Sequence, residues 1–221
     1  MIYIMSDIHG MYDKYIQMLK QIDLKDEDIL IIIGDVIDRG EKSIPILQDI
    51  MSKHNVVMLI GNHENMMLGY YGYDNCPYNW FYNGGQKTYN ELNNLPEYEQ
   101  IKILEYLNKL PFYYIHGKYI ISHSGFFSKG TDNIKKEFIH KFMNSQYKYS
   151  LLWERKEFYL NSALDGWISI FGHTPTIYMT GNKFKIWHDS IYNDKIGIDC
   201  GAVYGGYLAC LRLDDMKEFY V

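Results

Sequence analysis

Six side chains in this sequence are of kinds that bind divalent cations: Asp7, His9, Asp35, Asn62, His123 and His173. All offer oxygen or imidazole nitrogen and none a thiolate, a donor set suited to hard-to-intermediate divalent metals. Six donors suit two ions better than one, with one carboxylate shared, and Asp35, on the middle of three strands, is the natural bridge. Two ions held about 3.5–4 Å apart turn bound water into hydroxide at neutral pH and clamp a phosphoryl group during in-line displacement. Arginine forks onto phosphate through two parallel hydrogen bonds, and Arg39 and Arg155 are the candidates. The departing alcohol needs a proton; His63, next to Asn62 but outside the ligand set, is the candidate general acid. A histidine in that role needs a carboxylate to orient it and keep it charged, which Asp38 can supply.

The positions of these residues carry the argument. Ile29–Ile33 is an unbroken apolar run, too short for a helix, that reads as a strand buried in a parallel sheet. It ends in Gly34-Asp35-Val36-Ile37-Asp38-Arg39-Gly40. Residues 2–5 form an earlier strand ending in Ser6-Asp7-Ile8-His9-Gly10, and the buried run Val56–Ile60 ends in Gly61-Asn62-His63-Glu64. A lone Asp-x-His is better read as a turn with a bystander histidine; three such turns are not. Asp7 to Asp35 is 28 positions and Asp35 to Asn62 is 27, about one βαβ unit each. Tyr15, Met18, Leu19 and Ile22, then residues 44–51, carry the helical spacing of the crossovers. Right-handed crossovers bring the three turns to one sheet edge, where sites form in open α/β sheets. Two later strands, 118–121 and 168–171, end in Ser122-His123-Ser124-Gly125 and Gly172-His173-Thr174-Pro175.

Elsewhere the chain is plainer. Residues 69–94, rich in Tyr, Asn and Gly, read as loop and short helices capping the site. Residues 97–109 read as a helix with Ile101, Leu104, Leu107 and Leu110 inward, stopped by Pro111. Residues 126–165 look helical and mobile. Their basic side chains (Lys129, Lys135, Lys136, Lys141, Lys148, Arg155, Lys156) outnumber the acidic Asp132, Glu137, Glu154, Glu157 and Asp165. That excess could attract an anion or line a solvated helix face. The last 40 residues read as short antiparallel strands over 184–187, 196–198 and 207–213. No linker splits the chain, so the expectation is a single domain over 1–221, with 69–94 and 126–165 as cap or lid elaborations. A net charge of −5 argues against a nucleic-acid surface. Three scattered cysteines make no disulfide framework, and no stretch reads as a signal peptide or membrane span; the expected compartment is the cytoplasm. His54, His116, His140 and His188 fall in no motif and read as surface or satisfied core. Cys200 reads as packing, and Glu64 as a turn or supporting acceptor rather than a ligand.

Five ordered segments together resemble the motif set of the phosphoprotein phosphatases, the calcineurin-like group of metallophosphatases. They are Asp7-Ile8-His9-Gly10, Gly34–Gly40, Gly61-Asn62-His63-Glu64, the turn holding His123, and Gly172-His173-Thr174-Pro175. Asn83-Gly84-Gly85, Trp153-Glu154-Arg155 and Asp199–Gly206 are similar to the small bacterial and phage-type Ser/Thr phosphatases. The resemblance implies an α/β fold of four layers, a central β-sandwich flanked by helices. It implies one metal on Asp7, His9 and Asp35, and a second on Asp35, Asn62, His123 and His173. His63 paired with Asp38 becomes the general acid, and Arg39 and Arg155 hold the phosphate. Manganese is the expected metal, with iron, zinc, cobalt or nickel as alternatives. Two departures, Ser124 where alanine is usual and Cys200 where threonine is usual, remove no ligand. The substrate this implies is a phosphorylated protein or peptide, with phosphoserine and phosphothreonine first and phosphotyrosine tolerated. A dinucleotide polyphosphate hydrolase is the alternative, because that branch shares most of these motifs. A nuclease fits less well, since Thr174-Pro175 stand where that branch carries a further histidine. A degenerate binding module should have lost a ligand or the acid, and none is missing.

Overall fold

A computed structural model describes residues 1–128 and 134–221; Lys129 and Asp132 of the basic segment lie outside the described residues. The chain begins with β1 (Ile2–Met5), and α1 (Tyr12–Ile22) buries Tyr15, Met18 and Ile22. β2 (Ile29–Ile32) leads to α2 (Ser43–Ser52), and β3 (Val56–Met58) leads to α3 (Asn62–Tyr70). A short 3-10 turn over Phe81–Asn83 precedes α4 (Gln86–Asn93) and α5 (Glu97–Asn108). The hairpin of β4 (Tyr113–His116) and β5 (Tyr119–Ser122) follows. Three short helices, α6 (Ile139–Asn144), α7 (Lys148–Trp153) and α8 (Lys156–Tyr159), then lead to β6 (Ile168–Phe171) and α9 (Ile177–Thr180). The chain closes with β7 (Trp187–His188), β8 (Lys195–Gly197), β9 (Ala209–Arg212) and β10 (Lys217–Tyr220).

The strands form two five-stranded sheets, in the orders β10-β9-β1-β2-β3 and β4-β5-β6-β8-β7. Each has a parallel centre, β1/β2/β3 in one and β5/β6/β8 in the other. Alternation along a strand sends successive side chains to opposite faces, so one apolar run feeds two cores. Ile4, Ile31, Ile33 and Leu59 of the first sheet meet Ile121, Ile170, Ile196 and Ile198 of the second between the sheets. Tyr3, Met5, Leu30 and Ile32 face outward against α1, α2 and α5 through Met18, Leu47 and Leu107. Ile120 and Phe171 face outward against Phe126, Ile139, Leu151 and Phe158. The result is the expected four-layer α/β sandwich. Double-sided burial is why β1 and β2 read as continuous apolar runs. Among the described residues no helix is long and apolar enough to cross a membrane.

Several expectations need correction. The third strand's ladder stops at Met58, and Val56 and Val57 are only half-buried, because β3 is an edge strand. In α5 the inward face carries Ile103, Leu104, Leu107 and Leu110, whereas Ile101 is 43 % exposed; the stripe is rotated from the one expected. β8 lies parallel to β6, so the C-terminal strands are not all antiparallel. Within 184–187 only Trp187 joins a ladder. β4 and β10 were not foreseen.

Candidate active site

Every expected metal ligand lies just past the end of a parallel strand. Asp7 and His9 follow β1, Asp35 follows β2, Asn62 opens α3 behind β3, His123 follows β5, and His173 follows β6. Both sheets therefore contribute to one edge of the sandwich. The loops reach it through left-handed backbone: Asp7, His9, Asp35, Asp38, Arg39 and His173 all have positive φ, a rare conformation that clusters at functional sites. Gly34 (φ +72°) shows why the loops are so tight, since a Cβ there would lie 2.4 Å from the Gly61 nitrogen. Gly34→Ala is accordingly expected to destabilise the fold by about 2–4 kcal/mol, read as a lowered denaturation midpoint at unchanged slope.

Asp35 is the hub. Its carboxylate has His9 Nε2 at 3.6 Å, His63 Nε2 at 3.9 Å and His123 Nε2 at 3.4 Å, and accepts the His63 backbone N–H at 3.0 Å. Two imidazole pairs flank it: His9 with His63 (ring centroids 4.7 Å) and His123 with His173 (5.0 Å). With Asp35, each pair forms a group whose donor atoms lie within 4.8 Å of one another, the spacing of a cation site. Asn62 Oδ1 joins the second group, 2.9 Å from His123 Nε2. Asp7 is in neither tight group. Its Oδ2 accepts the Ser6 hydroxyl and the His173 backbone N–H.

The donor chemistry fits two divalent cations. His9 Nδ1 sits 2.9 Å from the Ile37 carbonyl and His123 Nδ1 2.8 Å from the Ile33 carbonyl. A carbonyl can only accept, so both rings carry N–H at Nδ1 and turn the Nε2 lone pair inward, as ligating histidines do. The Arg39 guanidinium, itself a cation, rests 2.6 Å from the His9 Nε2. His173 Nε2 is buried with no protein partner among the described residues. Burial holds His9 and His173 well below the usual imidazole range and His123 down to about 3, which keeps them neutral. Burial, then repulsion from Asp199, pushes Asp7 well above the ordinary carboxylate range; burial, then Asp7, does the same to Asp35. Buried acids this close are unstable as anions without a compensating cation.

His63 and Asp38 form a buried pair, with Nδ1 to Oδ2 at 2.6 Å. Burial raises Asp38 to about 7 and lowers His63. Arg155 Nη1 donates to the His173 carbonyl at 2.9 Å, which sets the guanidinium beside the cluster. Arg39 and Arg155 line one cavity of about 940 Å³ together with Asp35, Asn62 and His173. Glu64 accepts backbone N–H groups from Asp35, Val36 and Gly61 at 2.9 Å each, a supporting acceptor as expected. Cys200 is buried, its thiol pushed up to about 12 by burial. His54, His116, His140 and His188 lie outside the cavity.

Sequence reasoning gave no site role to several residues at the cavity or in its hydrogen-bond network, although Asn83, Asp199 and Tyr204 lie in segments it singled out. Asp199 is buried at the cavity, raised to about 6 by burial; it sits one residue past the run Ile196–Ile198, the same signal that marked the ligands. Asn83 and Tyr204 line the cavity, with the Arg39 guanidinium 5.5 Å over the Tyr204 ring. Trp80 Nε1 donates to Asp38 Oδ2 at 2.8 Å. The Tyr-rich 69–94 segment, expected to cap the site, contributes only Asn83 to the cavity lining.

Comparison with known proteins places these features in context. The profile of the calcineurin-like phosphoesterase family matches residues 1–205. The chain is 27% identical over 225 residues to serine/threonine-protein phosphatase 2 of Salmonella typhimurium, covering 96% of this chain and 92% of that protein. It is 25% identical over 244 residues to an asymmetrical bis(5′-nucleosyl)-tetraphosphatase of Anoxybacillus flavithermus, covering 100% and 94%. A solved structure described as a candidate diadenosine tetraphosphatase superposes with a TM-score of 0.67 at 18% identity, covering 100% of this chain and 92% of that one.

Proposed function

We propose, from the premise that this chain belongs to the calcineurin-like phosphoesterases, that the metallophosphoesterase hydrolyses phosphomonoesters, phosphoserine and phosphothreonine in proteins first and phosphotyrosine second. The observation that carries this reading is the buried His63–Asp38 pair. A proton donor is needed where the leaving group is a poor one such as an alkyl alcohol. It gains little in a polyphosphate, whose leaving phosphate has a pKa near about 6.

In this reading Asp7, His9 and Asp35 would hold one cation, and Asp35, Asn62, His123 and His173 the other, with manganese the favoured ion. The cations, when bound, activate water and neutralise phosphoryl oxygens. Arg39 and Arg155 fork onto the phosphoryl group and fix it in line. His63 offers a proton at Nε2 toward the leaving oxygen, and Asp38 at Nδ1 holds the ring's orientation.

One observation favours a second reading, a dinucleotide polyphosphate substrate. Besides the two arginines, Lys156, Trp153, Tyr159 and Tyr178 line the cavity, cations and stacking faces that a polyphosphate with two bases would use. The measurement that separates them is kcat/KM for a phosphoserine peptide and for diadenosine tetraphosphate in one Mn²⁺ buffer. The peptide is expected to lead. A tenfold preference for the dinucleotide, about 1.4 kcal/mol of transition-state binding, would overturn the phosphoprotein reading.

A further inference from the structure

The segment expected to cap the site instead grips the acid from behind. Asp38 is fully buried, and its Oδ2 faces two nitrogens, His63 Nδ1 at 2.6 Å and Trp80 Nε1 at 2.8 Å. Its backbone N–H lies 3.0 Å from both Ser43 Oγ and Thr88 Oγ1. The next residue, Arg39, donates its N–H to the Gly84 carbonyl at 3.2 Å, and Glu91 accepts the N–H groups of Ser43 and Ile44. Residues from Trp80 to Glu91 thus bracket the turn that carries Asp38 and Arg39, both in left-handed backbone. Such strained turns persist only where their surroundings over-determine them.

The indole reaches the carboxylate oxygen shared with His63. An indole N–H can only donate, so it pins one lone pair of Oδ2, while the same oxygen meets His63 Nδ1. The two contacts fix the plane of the Asp38 carboxyl group and, through it, the orientation of the His63 ring. Trp80 is itself held. A Cβ on Gly85 would come within 2.6 Å of its ring, and Tyr70, Tyr71 and Phe81 pack around it with centroids 5.6, 6.1 and 5.5 Å away. Tyr70 closes the helix whose first turn carries His63, so one helix bears the acid at one end and supports the indole at the other.

We propose that Trp80 is a positioning residue for the acid: its N–H fixes the Asp38 carboxyl group that orients the His63 ring. The proposal rests on reading His63 as the general acid. It predicts an effect that depends on the leaving group, which a merely structural role would not produce.

The test compares Trp80→Phe, which keeps an aromatic ring but loses the N–H, with the parent and His63→Asn, all manganese-loaded full chains. Substrates are a phosphoserine peptide and p-nitrophenyl phosphate, whose leaving group needs no proton. Trp80→Phe is expected to lower kcat on the peptide roughly tenfold while the aryl ester stays within about threefold. Metal content and peptide KM should be unchanged. A loss of folded protein would lower both substrates alike, so the ratio is immune to it. Gly85→Ala, which crowds the indole without deleting it, is expected to show the same skew and serves if Trp80→Phe fails to fold. An equal fall on both substrates, or no fall on the peptide while His63→Asn shows the skew, overturns the role of Trp80 and leaves the acid standing. If His63→Asn shows no skew either, the acid reading itself fails, and this proposal with it.

Discussion

Asp35→Ala is expected to empty both cation positions and reduce turnover to background. Three imidazole Nε2 atoms lie within 4 Å of this carboxylate, drawn from loops of both sheets, and each candidate cation group contains it. His9→Ala, by contrast, should weaken mainly one ion. The same variant makes a stability prediction whose sign is less obvious. In the metal-free parent, Asp35 is a buried acid among Asp7 and Glu64, pushed up first by its own burial. Cation binding to the folded state stabilises it by mass action, about 2.7 kcal/mol at a hundredfold excess over Kd. The parent's Tm should therefore drop on chelation, whereas the Tm of Asp35→Ala should not respond to chelator. Metal analysis finding one ion per chain in the parent under saturating Mn²⁺ would sink the two-ion arrangement.

The second large effect belongs to His63→Asn, expected to retain both ions and lose roughly 10²–10⁴ in kcat on a phosphoserine peptide. The structure makes this a sharp question, because His63 lies in one of the two groups spaced for a cation, alongside His9 and Asp35. Its carboxylate partner does not decide the matter, since ligating histidines also donate to carboxylates. Metal retention in the variant assigns the ring to proton transfer; loss of an ion assigns it to the metal and returns Asp7 to a supporting role.

Most of the framework was legible because the chemistry repeats a local pattern. Most ligands follow an apolar run buried on both faces, and neither a helix stripe nor a surface strand imitates that. β4 and β10 lack it. Both are edge strands with half-exposed Tyr, His, Lys and Glu, so their alternation looks like loop. The rotation of α5 was hidden because Ile101 and Ile103 are equally apolar, and only packing decides which faces Leu104 and Leu107. Trp80 was out of reach for another reason. It bonds a carboxylate 42 positions away, and nothing in its neighbourhood distinguishes a core indole from one that donates to an acid. Arg39 was assigned to phosphate from its type, but its contacts with the His9 ring and the Tyr204 face are products of tertiary closure.

The placement of β1 between β2 and β9 has a consequence for how the molecule is made. β1 is synthesised long before its second neighbour, β9, which pairs Leu211 with Ile4. Between Met58, the end of β3, and Ala209, the start of β9, lie 150 residues. At about 5–20 residues per second the ribosome needs roughly 8–30 s to supply them. Throughout that interval the nascent chain holds an apolar strand with one open edge, a template for pairing with another copy. Closure of the open side of β1 thus waits on the synthesis of β9 rather than on the early crossover units.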